Sequence, residues 1–104
     1  MEIKINNIYN IDCIEGMEKL KEKSVDIVVT SPPYNIGVKY GKHNDNLPFA
    51  EYLDWMDRLG FHLNRVLKDN GSLFFNIGDK PSDDFRSFQV AQKIAKHFKL
   101  QNTI

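Results

Sequence analysis

The chain has 104 residues, which is enough for one small domain with a single hydrophobic core. Its 14 basic and 14 acidic residues cancel, so attraction to nucleic acid must come from a local basic patch. A single cysteine, Cys13, excludes an internal disulfide and a thiolate metal cluster, and we expect its side chain to be buried. No apolar run approaches the roughly 20 residues that cross a bilayer, and no signal peptide is apparent. We therefore expect a soluble cytoplasmic protein with no metal and no membrane contact.

A strand, a helix and a second strand are predicted in the N-terminal third of the chain. Residues 3–11 (IKINNIYNI) have an imperfect apolar alternation, which favours a short strand. Asp12 then stands where an N-cap would, before a helix that is predicted to end near Ser24. Residues 25–30 (VDIVVT) are rich in β-branched side chains, which is typical of a strand buried on both faces of a parallel sheet.

The rest of the chain predicts a long loop, a helix, a strand and a last helix. These occupy residues 35–48, 49–67, 72–77 and 85–98. Loops as long as the first are commonly functional in compact domains. Asn70 and Gly71 are expected to terminate the first of these helices, and Phe88 is expected on the buried side of the second.

Strands that alternate with helices imply βαβ units, in which helices cover a parallel sheet. The sequence therefore predicts an α/β fold. Residues 100–104 (LQNTI) resemble the beginning of another strand, and no turn or charged tail follows them. We therefore expect the chain to be part of a larger protein.

A Ser-Pro-Pro-Tyr turn (residues 31–34) directly follows the strand at residues 25–30. It lies at the carboxyl edge of the predicted sheet, where open parallel sheets bind ligands. Each proline fixes its own φ and restricts the preceding residue, so the turn is stiff. From these residues alone two interpretations stand: a turn that simply ends the strand, or a rigid holder for a reacting group.

Three parts of the chain resemble the amino-methyltransferases of DNA, which use S-adenosyl-L-methionine to methylate cytosine N4 or adenine N6. They are Asp12 with its helix, VDIVVTSPPYN and LKDNGSLFFNIG. The Ser-Pro-Pro-Tyr turn matches that family's catalytic motif at every position, and its early place is similar to the β class. The resemblance implies a Rossmann-like class I methyltransferase fold with a partial parallel sheet. Residues 1–104 would be the catalytic half, without the Gly-rich cofactor motif and the target-recognition region.

The same resemblance implies a role for each residue of the turn. The Ser31 hydroxyl and the Pro32 carbonyl would accept hydrogen bonds from the amino group of the target base. Pro33 would keep the turn rigid, and Tyr34 would stack on the base after it is flipped out of double-stranded DNA. Asp12 would bind the adenine amino group of the cofactor, with Ser31 beside the same molecule. Asp12 is equally well explained as a helix N-cap.

Four polar residues outside the turn are also candidates. Lys39 and Lys42 in the long loop would contact DNA phosphates, or they are ordinary solvated lysines. Asn76 lies near the end of the strand at residues 72–77, and Asp79 follows that strand. They could line the same pocket as the turn, but turn chemistry is the favoured expectation for both.

Two functions follow from the sequence. The first is a site-specific DNA methyltransferase of the restriction-modification kind, and serine at the first motif position favours cytosine N4 over adenine N6. The second is a non-catalytic fragment, or one half of a split methyltransferase that is inactive without a C-terminal partner half. Restoration of methyl transfer by an added polypeptide with the Gly-rich motif would support the first.

Overall fold

A computed structural model describes residues 2–39, 41–80, 82–83 and 85–104, and its elements follow the order α1, β1, α2, β2, α3. Their bounds are Cys13–Glu18 (α1), Val25–Thr30 (β1), Phe49–Val66 (α2), Leu67–Phe75 (β2) and Arg86–Ala95 (α3). Within the described residues, β1 and β2 form a two-stranded parallel sheet in which Val29 lies opposite Phe74. The predicted α/β class, a partial parallel sheet with helices, is confirmed.

Helix α2 is the centre of the hydrophobic core. Its inward side chains recur every three or four residues, as one face of an α-helix requires. With one residue of α3 they form the buried cluster Tyr52, Met56, Leu59, Leu63 and Val90. Side chains from α1 and from one face of the sheet pack against this cluster. The carboxyl end of β1 and the first turns of α2 are therefore held together by the core.

The predicted N-terminal strand is wrong. Residues 3–11 form no strand, and the Ile5 and Ile8 side chains are exposed. A strand needs a neighbour for its backbone hydrogen bonds, and no described strand lies beside this segment. Helix α1 is also shorter than predicted, since it ends at Glu18, and Cys13 at its start is exposed rather than buried.

Only one face of the described sheet is covered, so the predicted burial of both faces is wrong. Val28 and Leu73 point towards the core cluster. On the other face Ile27, Val29 and Phe74 are 55%, 75% and 52% exposed. The difference arises because the described core lies entirely on the α2 side of the sheet.

Two details of the helices also differ from prediction. Helix α2 ends at Val66 and the chain enters β2 directly, so Asn70 and Gly71 lie inside the strand, where the register shifts. Helix α3 buries Val90 and Ile94 rather than Phe88, which is exposed. Buried positions four residues apart define one face of the helix, and Phe88, two residues before Val90, lies about 200° around the helix axis from it, close to the opposite side. No helix among the described residues is long and apolar enough to cross a membrane.

Candidate active site

The Ser-Pro-Pro-Tyr turn and the end of β2 meet at one edge of the sheet. The turn leaves β1 at its carboxyl end. The amide of Asn76 donates to the carbonyl of Thr30 at 2.9 Å, which continues the parallel pairing one residue beyond β2. The side chain of Asn76 is thereby placed beside the turn, although the two segments are far apart in the sequence.

A chain of hydrogen bonds joins three polar side chains at this edge. The Ser31 and Tyr34 hydroxyl oxygens are 2.8 Å apart, and the Asn76 side-chain amide donates to the Tyr34 oxygen at 3.0 Å. Ser31 is exposed, so its oxygen keeps lone pairs that an approaching N–H group can use. The site therefore offers an oriented hydrogen-bond acceptor next to an aromatic ring.

The backbone of Gly78 lies directly against the ring of Tyr34. A Cβ atom at Gly78 would be 2.8 Å from both Cδ2 and Cε2 of that ring. This separation is well inside the ordinary 3.5–4.0 Å contact of carbon atoms, so only glycine fits without movement. Gly78 thus helps to fix where the ring of Tyr34 sits.

The carbonyl of Pro33 is bonded to the core. The Tyr52 hydroxyl, at the start of α2, donates a hydrogen bond to it, and Pro32 is itself buried. Burial, followed by the negative charge of Asp45, raises the pKa of Tyr52 to about 12. The phenol therefore keeps its proton at neutral pH and remains a donor to the turn.

The loop after the turn is organised by two buried polar residues. The Asp45 carboxylate accepts the backbone amides of Asn35, Ile36 and Val38 at 3.0, 3.1 and 2.8 Å. The Asn35 side chain donates to the carbonyl of Leu47 at 2.8 Å and accepts its amide at 2.6 Å. The two ends of the loop are thereby closed on each other.

A buried arginine from α3 completes this arrangement. Arg86 donates to the carbonyl of Asn35 at 3.2 Å, and its guanidinium carbon lies 4.4 Å from the centroid of the Phe49 ring. Its Nε is 3.6 Å from the carboxylate of Asp83. Each of four buried or partly buried residues therefore bonds the backbone of the turn or of the loop that follows it: Asn35, Asp45, Tyr52 and Arg86.

Asp12 makes its side-chain hydrogen bond to its own helix. Its carboxylate caps α1 by accepting the amide of Glu15 at 3.1 Å, so the helix-cap interpretation is confirmed. Asp12 also lines an open cleft of about 410 Å³, together with the side chains of His43, Leu47, Glu51, Asp54, Trp55 and Arg58. No residue of the Ser-Pro-Pro-Tyr turn lines this cleft. The role of Asp12 in cofactor binding stays a prediction.

The two candidate lysines are exposed in the loop. Lys39 and Lys42 lie between the residues whose backbone Asp45 binds and Asp45 itself, on the solvent side. Their contact with DNA stays a prediction. Among the residues that the structure describes, no three His, Cys, Asp or Glu side chains are grouped as metal ligands would be.

Sequence reasoning missed most of the polar contacts of the site. Asn76 was expected in a turn, but its position at the end of the strand beside β1 was the signal that it reaches the turn. Asp45, Arg86 and the hydroxyl of Tyr52 gave no local signal, because their partners lie between 7 and 51 residues away. Asp79 does serve local structure, since it accepts the amide and hydroxyl of Ser87 at 2.6 and 2.9 Å.

The fold and the site together define an α/β protein with a rigid polar turn at the ligand-binding edge of a parallel sheet. A family model described as DNA methylase matches residues 25–104, which is most of the chain. The chain therefore belongs to the DNA methylase family, the amino-methyltransferases of N4 and N6. The resemblance inferred from the sequence is confirmed.

Individual relatives agree with this assignment. The chain is 38% identical over 97 residues to the Type II methyltransferase M.BglII of Bacillus subtilis. That match covers 86% of this chain and 26% of the relative. The chain is 42% identical over 74 residues to M.MjaVI of Methanocaldococcus jannaschii, covering 71% of this chain and 38% of the relative. For M.HpaI of Haemophilus parainfluenzae the identity is 38% over 69 residues, and the match covers 66% of this chain and 22% of the relative. The chain thus spans only about a fifth to two fifths of the length of these relatives.

Proposed function

We propose that this chain is the catalytic part of a site-specific DNA methyltransferase with a Rossmann-like class I fold. The enzyme would transfer a methyl group from S-adenosyl-L-methionine to an exocyclic amino nitrogen of a base flipped out of double-stranded DNA. Cytosine N4 is favoured over adenine N6. The observation that carries the proposal is the exposed Ser31 hydroxyl, held 2.8 Å from the Tyr34 hydroxyl at the carboxyl edge of the sheet.

The chemistry requires a positioned acceptor rather than a strong base. The lone pair of an exocyclic amino group is delocalised into the base, which makes the nitrogen a poor nucleophile. Hydrogen bonds from that group to the exposed Ser31 oxygen and to the Pro32 carbonyl would draw it towards tetrahedral geometry and free the lone pair. Pro32 is buried in this structure, so its role as an acceptor rests on the family resemblance. For the methyl group that it gains from the sulfonium, the nitrogen would lose one proton, which can leave to solvent because Ser31 is exposed at this edge.

The turn is built to place these acceptors accurately. Pro33 keeps it stiff, and its carbonyl is tied to Tyr52 in the core. The ring of Tyr34 would stack on the flipped base, and its hydroxyl is held by Asn76 and Ser31. Fixed acceptors and a fixed ring lower the entropy that must be lost on the way to the transition state.

The residues of the Asp12 cleft fit the proposed cofactor. The cleft volume of about 410 Å³ lies in the range of small-molecule sites. Asp12 would offer a carboxylate to an adenine amino group, and Trp55 would offer an indole ring to an adenine face. Ser31 does not line the cleft, and its place at the reactive end rests on the family resemblance alone. When bound, S-adenosyl-L-methionine supplies an electrophilic methyl group.

DNA contacts outside the base would come from the loop. Lys39 and Lys42 are exposed there and would bind phosphates, which positions the duplex without reading its sequence. With one phosphate neutralised by each lysine, this contribution to binding should weaken with salt, with a slope of about −2 in a plot of log affinity against log salt concentration.

A second candidate function is favoured by the bare sheet face. Ile27, Val29 and Phe74 are exposed side by side, and the chain spans only part of its relatives' length. Under this alternative the chain is a non-catalytic fragment, or one half of a split methyltransferase whose partner is a C-terminal half. It would then show no methyl transfer by itself, and it would fold as a stable monomer without affinity for S-adenosyl-L-methionine.

The test is methyl transfer by the full-length gene product, with labelled S-adenosyl-L-methionine and duplex DNA, followed by nucleoside mass spectrometry. We expect N4-methylcytosine, and we expect Ser31→Ala to lower the rate about 10²-fold, as loss of one preorganised hydrogen-bonding group does elsewhere. Ser72→Ala, the same change at an exposed serine of β2, is the matched control. Near-normal turnover in Ser31→Ala would contradict the assigned role, and N6-methyladenine would overturn the choice of base.

A further inference from the structure

Asp45 is a buried carboxylate in a long surface loop. Its side chain is 1% exposed. A buried charge is costly unless it is paired or hydrogen-bonded, and here three backbone amides point at the same carboxylate. His43 lies at the periphery, with its Nε2 3.9 Å from Oδ1. These bonds fix the course of residues 35–38.

The prolines cannot do this by themselves. They fix φ at positions 32 and 33, but not at Tyr34 or beyond. Directly after Tyr34 the backbone of Asn35 takes a left-handed conformation, with φ at 61°. Asparagine adopts this conformation more readily than most residues other than glycine, and hydrogen bonds on both sides of Asn35 stabilise it here. Asp45 binds the amide of this residue and Arg86 its carbonyl, so both peptide groups around the reversal are held.

Tyr52 holds the turn from its other side. Its hydroxyl bonds the carbonyl of Pro33, which precedes Tyr34. The peptide groups on both sides of Tyr34 are therefore fixed, one through the Pro33 carbonyl and the other through the Asn35 amide. Within the described part of the chain, Asp45 and Tyr52 bond backbone groups and not the Ser31 hydroxyl, so their effect on the reacting atoms would pass through the turn.

We propose that Asp45 and Tyr52 are positioning residues for methyl transfer, which hold the Ser-Pro-Pro-Tyr turn in its working geometry from the loop and from α2. The inference rests on the proposed function. The long loop would then have a second role besides contact with DNA. Through the bonds of Asp45, and together with the Tyr52 bond, it fixes the backbone around the turn; we call these bonds the lock. Loss of the lock would lower turnover. Neither Asp45 nor Tyr52 lines the Asp12 cleft, but His43 and Leu47 of the same loop do, so Tyr52→Phe is the variant that separates turnover from cofactor binding.

The experiment compares Asp45→Asn and Tyr52→Phe with wild type in the full-length gene product. Asp45→Asn removes the charge and one acceptor oxygen, and Tyr52→Phe removes only the hydroxyl while keeping the ring in the core. Hydrogen–deuterium exchange is followed on peptides covering residues 34–47, and kcat and KM for S-adenosyl-L-methionine are measured on duplex DNA. Asp69→Asn, at an exposed aspartate of β2, is the matched control.

We expect exchange at residues 35–38 to be about tenfold faster in Asp45→Asn, and kcat to fall about tenfold or more in both variants. In Tyr52→Phe we expect KM to stay within about twofold. If Asp45→Asn does not fold, Tyr52→Phe decides by the same kinetic measurement. Unchanged exchange in folded Asp45→Asn would overturn the lock, and faster exchange with unchanged kcat would overturn the positioning role. Absence of methyl transfer by wild type would overturn the proposed function, a result that no variant is needed to recognise.

Discussion

Replacement of Gly78 by alanine tests how closely Tyr34 must be held. The new Cβ would lie 2.8 Å from Cδ2 and Cε2 of the ring. Since carbon atoms pack at 3.5–4.0 Å, the ring has to move by about 1 Å. That displacement would stretch the 2.8 Å and 3.0 Å bonds of the Tyr34 hydroxyl beyond useful hydrogen-bond length.

The expected effect falls on the rate rather than on the fold. A misplacement of about 1 Å can lower a reaction rate about 10²-fold, which corresponds to about 2.7 kcal/mol in the barrier. Tyr34 is only partly buried and can swing towards solvent, so unfolding should become easier by no more than about 1 kcal/mol. The assay is the initial rate of methyl transfer to duplex DNA by the full-length gene product, with thermal melting measured in parallel.

Two comparisons make this prediction sharp. Gly16→Ala places a Cβ 3.3 Å from one methyl group of Ile11, far from the turn, and should leave the rate unchanged. In a Tyr34→Ala background, Gly78→Ala should add less than about a twofold loss, because the two residues act through one contact. A wild-type rate in Gly78→Ala, or full additivity with Tyr34→Ala, would refute the reasoning.

Three further predictions concern stability and solubility. Gly60→Ala should destabilise the protein by about 1–3 kcal/mol in chemical denaturation, because the new Cβ would lie 2.7 Å from Cδ2 of His97. Alanine has the higher helix propensity, so a gain in stability would contradict this packing. Hydrogen bonds from Lys96, and secondly from His97, lower the pKa of Asp57. The Asp57 carboxylate therefore stabilises the fold above the ordinary pKa of 3.8, and this stabilisation is lost as the pH falls through the lower pKa of the folded state. Asp57→Asn should therefore lower the free energy of unfolding at pH 7 and flatten its decline below about pH 4, and identical pH profiles would rule the linkage out. Val29→Lys should reduce self-association of this 104-residue chain in light scattering, because the side chain is 75% exposed on the bare sheet face; unchanged scattering would show that the face does not drive association.

The match between sequence and structure is good where local rules suffice. Residues 25–30 form β1 at the predicted bounds, because their β-branched side chains favour extended backbone and the prolines after them end the strand. Helix α2 differs from prediction by one residue, because its apolar positions follow the helical period closely. The prediction failed for residues 3–11, where a strand-like pattern has no described neighbour to pair with.

For the site, local rules gave the turn but not its supports. Four residues in a row identify the Ser-Pro-Pro-Tyr turn, and proline chemistry explains its stiffness without any tertiary contact. The bonds of Asn76, Asp45 and Arg86 join residues that are distant in the chain. Side chains of these types are common in loops and helices, so their identity does not reveal their partners.

By itself, the sequence determined the α/β alternation, the place of the turn at the end of β1 and the family to which the chain belongs, because each depends on residues close together in the chain. The tertiary structure alone decided which face of the sheet is covered, that Gly78 supports Tyr34, and that a buried carboxylate ties down the loop. Those contacts exist only once β1, α2 and β2 have packed, since packing brings together groups that no local preference relates.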